Sequence, residues 1–141
     1  MNKPNWLFWV AGIVFLLWNA MGCMAYLSEV TMNDAEYIAR YGEGVAALRD
    51  AVPSWSVAGY AVAVWGGALA AILFLLRRKL AVPVFILSLL GAVLGFLPLF
   101  TIDGMMDAMG TADKVMPAVV LVLGLIEIVV SRRYSAKGVL R

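Results

Sequence analysis

Four apolar runs, each able to cross most or all of a lipid bilayer, are separated by charged segments whose sign alternates along the chain. The runs cover residues 6–27, 51–76, 80–102 and 115–131. At a rise of about 1.5 Å per helical residue, they match a hydrocarbon layer about 30 Å thick. The expected fold is all-α, a four-transmembrane-helix bundle with spans at 6–27, 53–76, 80–102 and 115–131. A chain of 141 residues that is 64% hydrophobic and 14% charged has no room for a soluble domain beside four spans, so residues 1–141 form one integral membrane domain.

Charge gives the spans a direction. One side of the bundle carries Lys3, the triplet Arg77, Arg78 and Lys79, and the cations Arg132, Arg133, Lys137 and Arg141. The other carries Arg40, Arg49 and Lys114 among eight of the nine acidic residues. Eight cations against three is a positive-inside bias that places both termini in the cytoplasm. Arg77, Arg78, Lys79, Arg132 and Arg133 read as topology determinants and partners of lipid headgroups rather than as a nucleic-acid surface.

Composition removes several kinds of chemistry. The single cysteine, Cys23, excludes an internal disulfide and a CxxC redox pair. With no histidine, axial imidazoles for haem, common zinc and non-haem iron sites, and imidazole proton relays are all excluded. No nucleophile–base pair is evident, so the chain does not read as an enzyme, and no cofactor or metal is expected. Seven methionines and Cys23 fall on the acidic side, where thioethers could bind Cu(I) or simply pack adaptably. The N-terminal run, ending in Ala20-Met21-Gly22-Cys23, is a poor lipoprotein box and is expected to be retained as the first span.

Pro4, Pro53, Pro83 and Pro117 stand at or near span starts, and Pro98 should bend the outer part of the third. The first outer loop, 28–52, is the only segment long enough for structure outside the bilayer. Thr31 or Asn33 can cap a helix there, and Tyr37, Tyr41, Val45 and Leu48 recur at helical spacing. One or two short amphipathic helices are therefore expected over the outer mouth of the bundle.

Helices in lipid associate through close approach at small residues. Gly59, Ala63, Gly67 and Ala71 form a small-xxx-small ladder on the second span, and Gly91 and Gly95 a GxxxG pair on the third. They suit packing within one hairpin; the rival reading is a seam between copies. Asn19 lies about 20 Å along the first span from Trp6, with Trp65 at similar depth in the second. Asn19, Trp18 and Trp65 are thus candidates either for a register-setting hydrogen bond or for a midplane site taking a small polar ligand such as a sugar. Glu127 is the one ionisable residue within the expected spans. It reads either as a proton-coupling acid or as a shallow carboxylate paired with the cations beginning at Arg132.

The strings Leu16-Leu17-Trp18-Asn19-Ala20-Met21-Gly22, Val64-Trp65-Gly66-Gly67, Leu76-Arg77-Arg78, Ala81-Val82-Pro83-Val84-Phe85 and Lys137-Gly138-Val139-Leu140-Arg141 carry a family resemblance. Together they resemble a family of small four-span bacterial inner-membrane proteins of roughly 140–160 residues, often given a sugar-transporter label. The resemblance covers nearly the whole chain. It implies an inner-membrane location and Trp18, Asn19, Trp65, Gly66 and Gly67 as signature positions.

Two functions follow from these readings. The first is an accessory or assembly protein that packs against lipid, other membrane-protein subunits or copies of itself. The second is a small-solute, sugar-type transporter acting as an oligomer, since four thin helices enclose little lumen.

Overall fold

The computed structural model describes residues 3–141, which are helical throughout their ordered elements. Four long helices are apolar enough to cross a membrane: α1 (Trp6–Thr31), α4 (Ser54–Leu75), α5 (Ala81–Phe96) continued by α6 (Pro98–Thr101), and α8 (Thr111–Ala136). Between α1 and α4 lie α2 (Asp34–Tyr41), α3 (Glu43–Ala47) and a single 3-10 turn, Arg49–Ala51. The short helix α7 (Met105–Ala108) stands between α6 and α8. This is a multi-pass membrane protein: in hydrocarbon every backbone N–H and C=O must be satisfied internally, which helices accomplish. The two ends of the described residues, at Lys3 and Arg141, lie at one end of the bundle, the terminal end, and the two longer connections lie at the other, the loop end.

The spans pack in chain order, α1 on α4, α4 on α5 and α5 on α8. The hairpin of α4 and α5 is the tightest pair. Gly59 and Gly91 oppose each other so closely that a Cβ on either would lie 2.7 Å from the other's carbonyl oxygen. Gly95 meets Tyr60 less closely, at 3.4 Å from the corresponding position. Ser56 Oγ donates to Gly95 O at 3.0 Å, and Ser88 Oγ to Ala63 O at 2.5 Å, pinning the same seam.

The terminal half holds the main apolar core. Each span contributes an aromatic ring: Phe8 stacks on Phe74 at 4.5 Å, Phe15 meets Phe85 edge-on at 5.8 Å, and Tyr134 meets Phe8 at 5.1 Å. Beneath these rings the chain end folds back, burying Val139 and Leu140.

Several boundaries differ from the sequence expectation. The fourth span is not the shortest: α8 has 26 residues, as many as α1, because it continues through Arg132 and Arg133 and begins before Lys114. Pro117 sits within α8 rather than at its start. Pro98 interrupts the third span, separating α5 from α6 after Leu97, where its missing N–H breaks the ladder. The first outer loop folds as expected, and Asn33 is its cap: Oδ1 accepts from Glu36 N at 2.8 Å while Nδ2 donates to Glu36 Oε1 at 3.2 Å. Thr31 instead bonds back to Leu27 O within α1. The second outer connection, between the third and fourth spans and too short by the sequence reading to hold structure, carries α7, whose Met105 is buried against Tyr37 and Val45 in a second small core.

Candidate functional site

A polar node joins all four spans near mid-bundle. On α1, Gly12, Phe15, Asn19 and Cys23 are buried at steps of three and four, so they form one inward stripe. Asn19 is the amide within it, 6% exposed. Its Nδ2 donates to Phe15 O at 2.8 Å and, with its second hydrogen, to Glu127 Oε2 on α8 at 2.7 Å. The opposite edge of the amide presses on α4. A Cβ on Gly67 would lie well inside van der Waals contact with Asn19 Oδ1, 2.7 Å from Asn19 Cγ and 3.1 Å from Ser88 Oγ of α5. Gly67 is required here because the absent side chain is the space the amide occupies.

Glu127 is 5% exposed and turned into the bundle. Its reading as a carboxylate paired with the basic cluster is corrected in its partner. Counting at about 1.5 Å per residue, Glu127 stands about 13 Å from the end of α8 at Ala136, level with Asn19. Its partner is the Asn19 amide, and the two ion pairs among the described residues, Arg40–Asp113 and Arg49–Asp34, lie at the loop end.

The aromatic half of the sequence-derived ligand site does not assemble. Trp65 precedes Gly67 by two residues, about 200° around the helix, and so points away from Asn19 with 46% of its surface exposed. Trp18 is half-buried beside Asn19. The node therefore contains Asn19, Glu127, Gly67 and Ser88, without either tryptophan. Ala63 and Gly59 continue the α4 face toward the loop end, with Gly91 and Gly95 opposite. Chemically the node is a helix-to-helix hydrogen bond around one carboxyl group. Two cavities, of about 420 and about 180 Å³, lie outside the spans, and no residue of the node lines either.

At the loop end, α2, α3 and the 3-10 turn form a flap clamped by Arg49. Its Nη2 donates to Glu29 O at 3.3 Å and Met32 O at 3.1 Å, its guanidinium lies 4.2 Å over the Tyr37 ring, and Nη1 stands 3.6 Å from Asp34 Oδ1. Arg40 stacks on Tyr41 at 4.6 Å and reaches Asp113 of α8 at 3.5 Å. Burial, reinforced by the Glu29 carboxylate, pushes the hydroxyls of Tyr37 and Tyr41 above the ordinary tyrosine range. The larger cavity lies on this flap, between Asp34, Tyr37, Glu43 and Asp50.

The methionines are not gathered at one point. Met21 and Met24 are exposed on α1 and Met116 on α8, whereas Met32, Met105 and Met109 fill the flap core. Among the described residues no group of three or more cysteine, aspartate or glutamate side chains is placed to hold a metal ion. Arg77 and Arg78 stand at the α4–α5 turn with Lys79, and Arg132 and Arg133 are exposed in the last turns of α8.

The docking of the C-terminal segment escaped the sequence reading, although Gly138 followed by two apolar residues is a helix-stop signal with a hydrophobic anchor behind it. Comparison with protein-family models, curated proteins and solved structures finds no match to the chain.

Proposed function

We propose that this protein is an accessory or assembly subunit that holds other membrane proteins through its fourth span. The observation that carries the reading is the uneven packing of α8. From Thr111 to Ile126 it buries no residue, and Val115, Met116, Val122 and Leu125 each expose half or more of their surface. The other three spans bury about twice as large a share of their apolar stretch, 28, 28 and 22% against 11% for α8. Van der Waals packing is the main attraction between helices in lipid, so a partner helix along α8 gains contacts that the chain itself does not supply. The polar node supports the same reading, because its amide and carboxyl group are engaged with each other.

The charge bias, eight cations at the terminal end against three at the loop end, supports an orientation with both termini cytoplasmic. The family resemblance supports the bacterial inner membrane as the location. A photoreactive residue at Val119 or Val122, followed by purification in mild detergent and mass spectrometry, tests the function. A defined membrane-protein adduct is expected. Recovery of the chain alone, together with saturable sugar uptake in proteoliposomes, would replace this reading with the second one. That alternative, a transporter acting as an oligomer, draws on the mid-bundle carboxyl group of Glu127 and requires a pathway between copies.

A further inference from the structure

None of the nine acidic side chains lies at the terminal end, where eight cations are collected. Two helices also finish there, with the same backbone device. At the end of α4, Arg77 N–H donates to Phe74 O and Arg78 N–H to Leu73 O, both at 2.9 Å. At the end of α8, Gly138 N–H donates to Ser135 O at 3.1 Å and Val139 N–H to Tyr134 O at 3.0 Å. The left-handed position of this cap favours glycine, and Gly138 occupies it in α8 with φ 78°. In α4 the same position is held by Arg77, with φ 59°, although a Cβ is costly there. An arginine kept where the backbone prefers glycine directs attention to its side chain.

The chain end completes the arrangement. Arg141 N–H donates to Arg77 O at 2.7 Å, and Lys79 N–H donates to Arg141 O at 2.8 Å. Val139 and Leu140, 3% and 1% exposed, anchor the segment in the aromatic core. Arg77 Nε donates to Val139 O at 3.0 Å, which fixes the plane of its guanidinium. Arg77, Arg78 and Arg141 are thereby brought from two distant parts of the sequence around one cavity of about 180 Å³, with Leu76 as its remaining wall.

We propose that this cavity is a phosphate-binding cradle. Three arginines line this small space. Arg78 and Arg141, both exposed, can each turn a planar fork of N–H donors toward a tetrahedral oxyanion, while Arg77, engaged with Val139 O, adds fixed charge that persists at any physiological pH. Leu76, largely exposed, gives the cradle an apolar side along which the substituent of a phosphate ester can leave. The phosphate can come from a phospholipid headgroup or from a soluble anion. The proposal is independent of what binds α8.

The test uses the whole chain in detergent, with phosphatidylglycerol, phosphatidylcholine and inorganic phosphate as separate probes followed by native mass spectrometry. Arg78→Gln and Arg141→Gln should each weaken binding of the anionic probe at least about fivefold, as loss of a charge-assisted contact implies. Arg132→Gln and Arg133→Gln remove charge at the same end without touching the cavity, and should change it less than about twofold. Arg78 and Arg141 are exposed, so a matched thermal-unfolding curve will establish that these variants fold. Phosphatidylglycerol retained in excess inorganic phosphate identifies a headgroup site; displacement by inorganic phosphate identifies a soluble one. An equal loss across all four variants would reduce the cradle to diffuse charge and overturn the proposal. So would equal affinity for phosphatidylcholine and phosphatidylglycerol, or no binding of phosphatidylglycerol and inorganic phosphate by the native chain.

Discussion

Gly66 and Gly67 are neighbours in one helix, yet alanine should act on them in opposite directions. Both substitutions gain helix propensity, at most about 1 kcal/mol. At Gly66 the new methyl group would meet Ser88 at 3.7 Å, an ordinary contact, so Gly66→Ala should be neutral or slightly stabilising. At Gly67 it would overlap the Asn19 amide, which is held by Phe15 O and Glu127 Oε2 and has nowhere to swing. Gly67→Ala must break the interhelical bond, worth about 0.6–1.7 kcal/mol in lipid, and force a repacking that costs about 1–3 kcal/mol. The two variants should thus differ by about 2–4 kcal/mol, read as unfolding free energy in bicelles by steric trapping. The decisive control is a double-mutant cycle with Asn19→Ala: once the amide is gone, most of the Gly67→Ala penalty should go with it, leaving only the 3.1 Å contact with Ser88 Oγ. Equal stability of Gly66→Ala and Gly67→Ala would refute the node, as would a Gly67→Ala penalty that survives undiminished in the Asn19→Ala background.

Further outcomes follow from the same geometry. Glu127→Gln keeps an acceptor for the Asn19 amide and should leave stability within about 0.5 kcal/mol of native, whereas Glu127→Leu should lose about 0.6–1.7 kcal/mol, both measurable in the same assay. Arg49→Ala removes the clamp on Glu29 O, Met32 O and Tyr37; faster amide exchange and proteolysis across 34–52, with the spans unchanged, should report it. Tyr37 and Tyr41 are raised by burial, so their contribution to flap stability is complete below the unfolded-state pKa of about 10 and is lost as pH rises through the higher folded values. An ultraviolet phenolate titration should therefore show late-ionising tyrosines. Tyr41→Phe should remove one of them without loosening the flap at neutral pH.

The four spans and the first-loop helices were legible because apolar run length and helical spacing are local signals. Span ends were less so. Charge marks where a helix should leave the hydrocarbon, not where its hydrogen bonds stop, and α8 continues through Arg132 and Arg133 to Ala136. The cations one turn beyond Glu127 likewise suggested the wrong partner for it. The pairing of Asn19 with Glu127 spans 108 positions, and no periodicity connects residues so far apart. What sequence could supply was each half separately: an amide on an inward stripe, an acid on an apolar helix, and a double glycine.

The structure adds the reason these three belong together. Gly67 makes room for an amide, the amide reaches past it to the carboxyl group, and α1 and α8, otherwise in little direct contact at this height, are tied through the middle of the bundle. The tie also divides α8 by role. From Glu127 onward the helix is fixed, by Asn19, by the rings around Tyr134 and by the docked chain end. Before Glu127 it touches the chain along one side only, at Gly124 against Leu89 of α5 and at Asp113 against Arg40, and leaves the other side to whatever surrounds it, lipid or protein. A partner bound along the first half therefore need not disturb the second, so Asn19→Ala should weaken the bundle without abolishing crosslinks from Val119. Loss of those crosslinks together with the bond would mean that the two halves of α8 act as one unit.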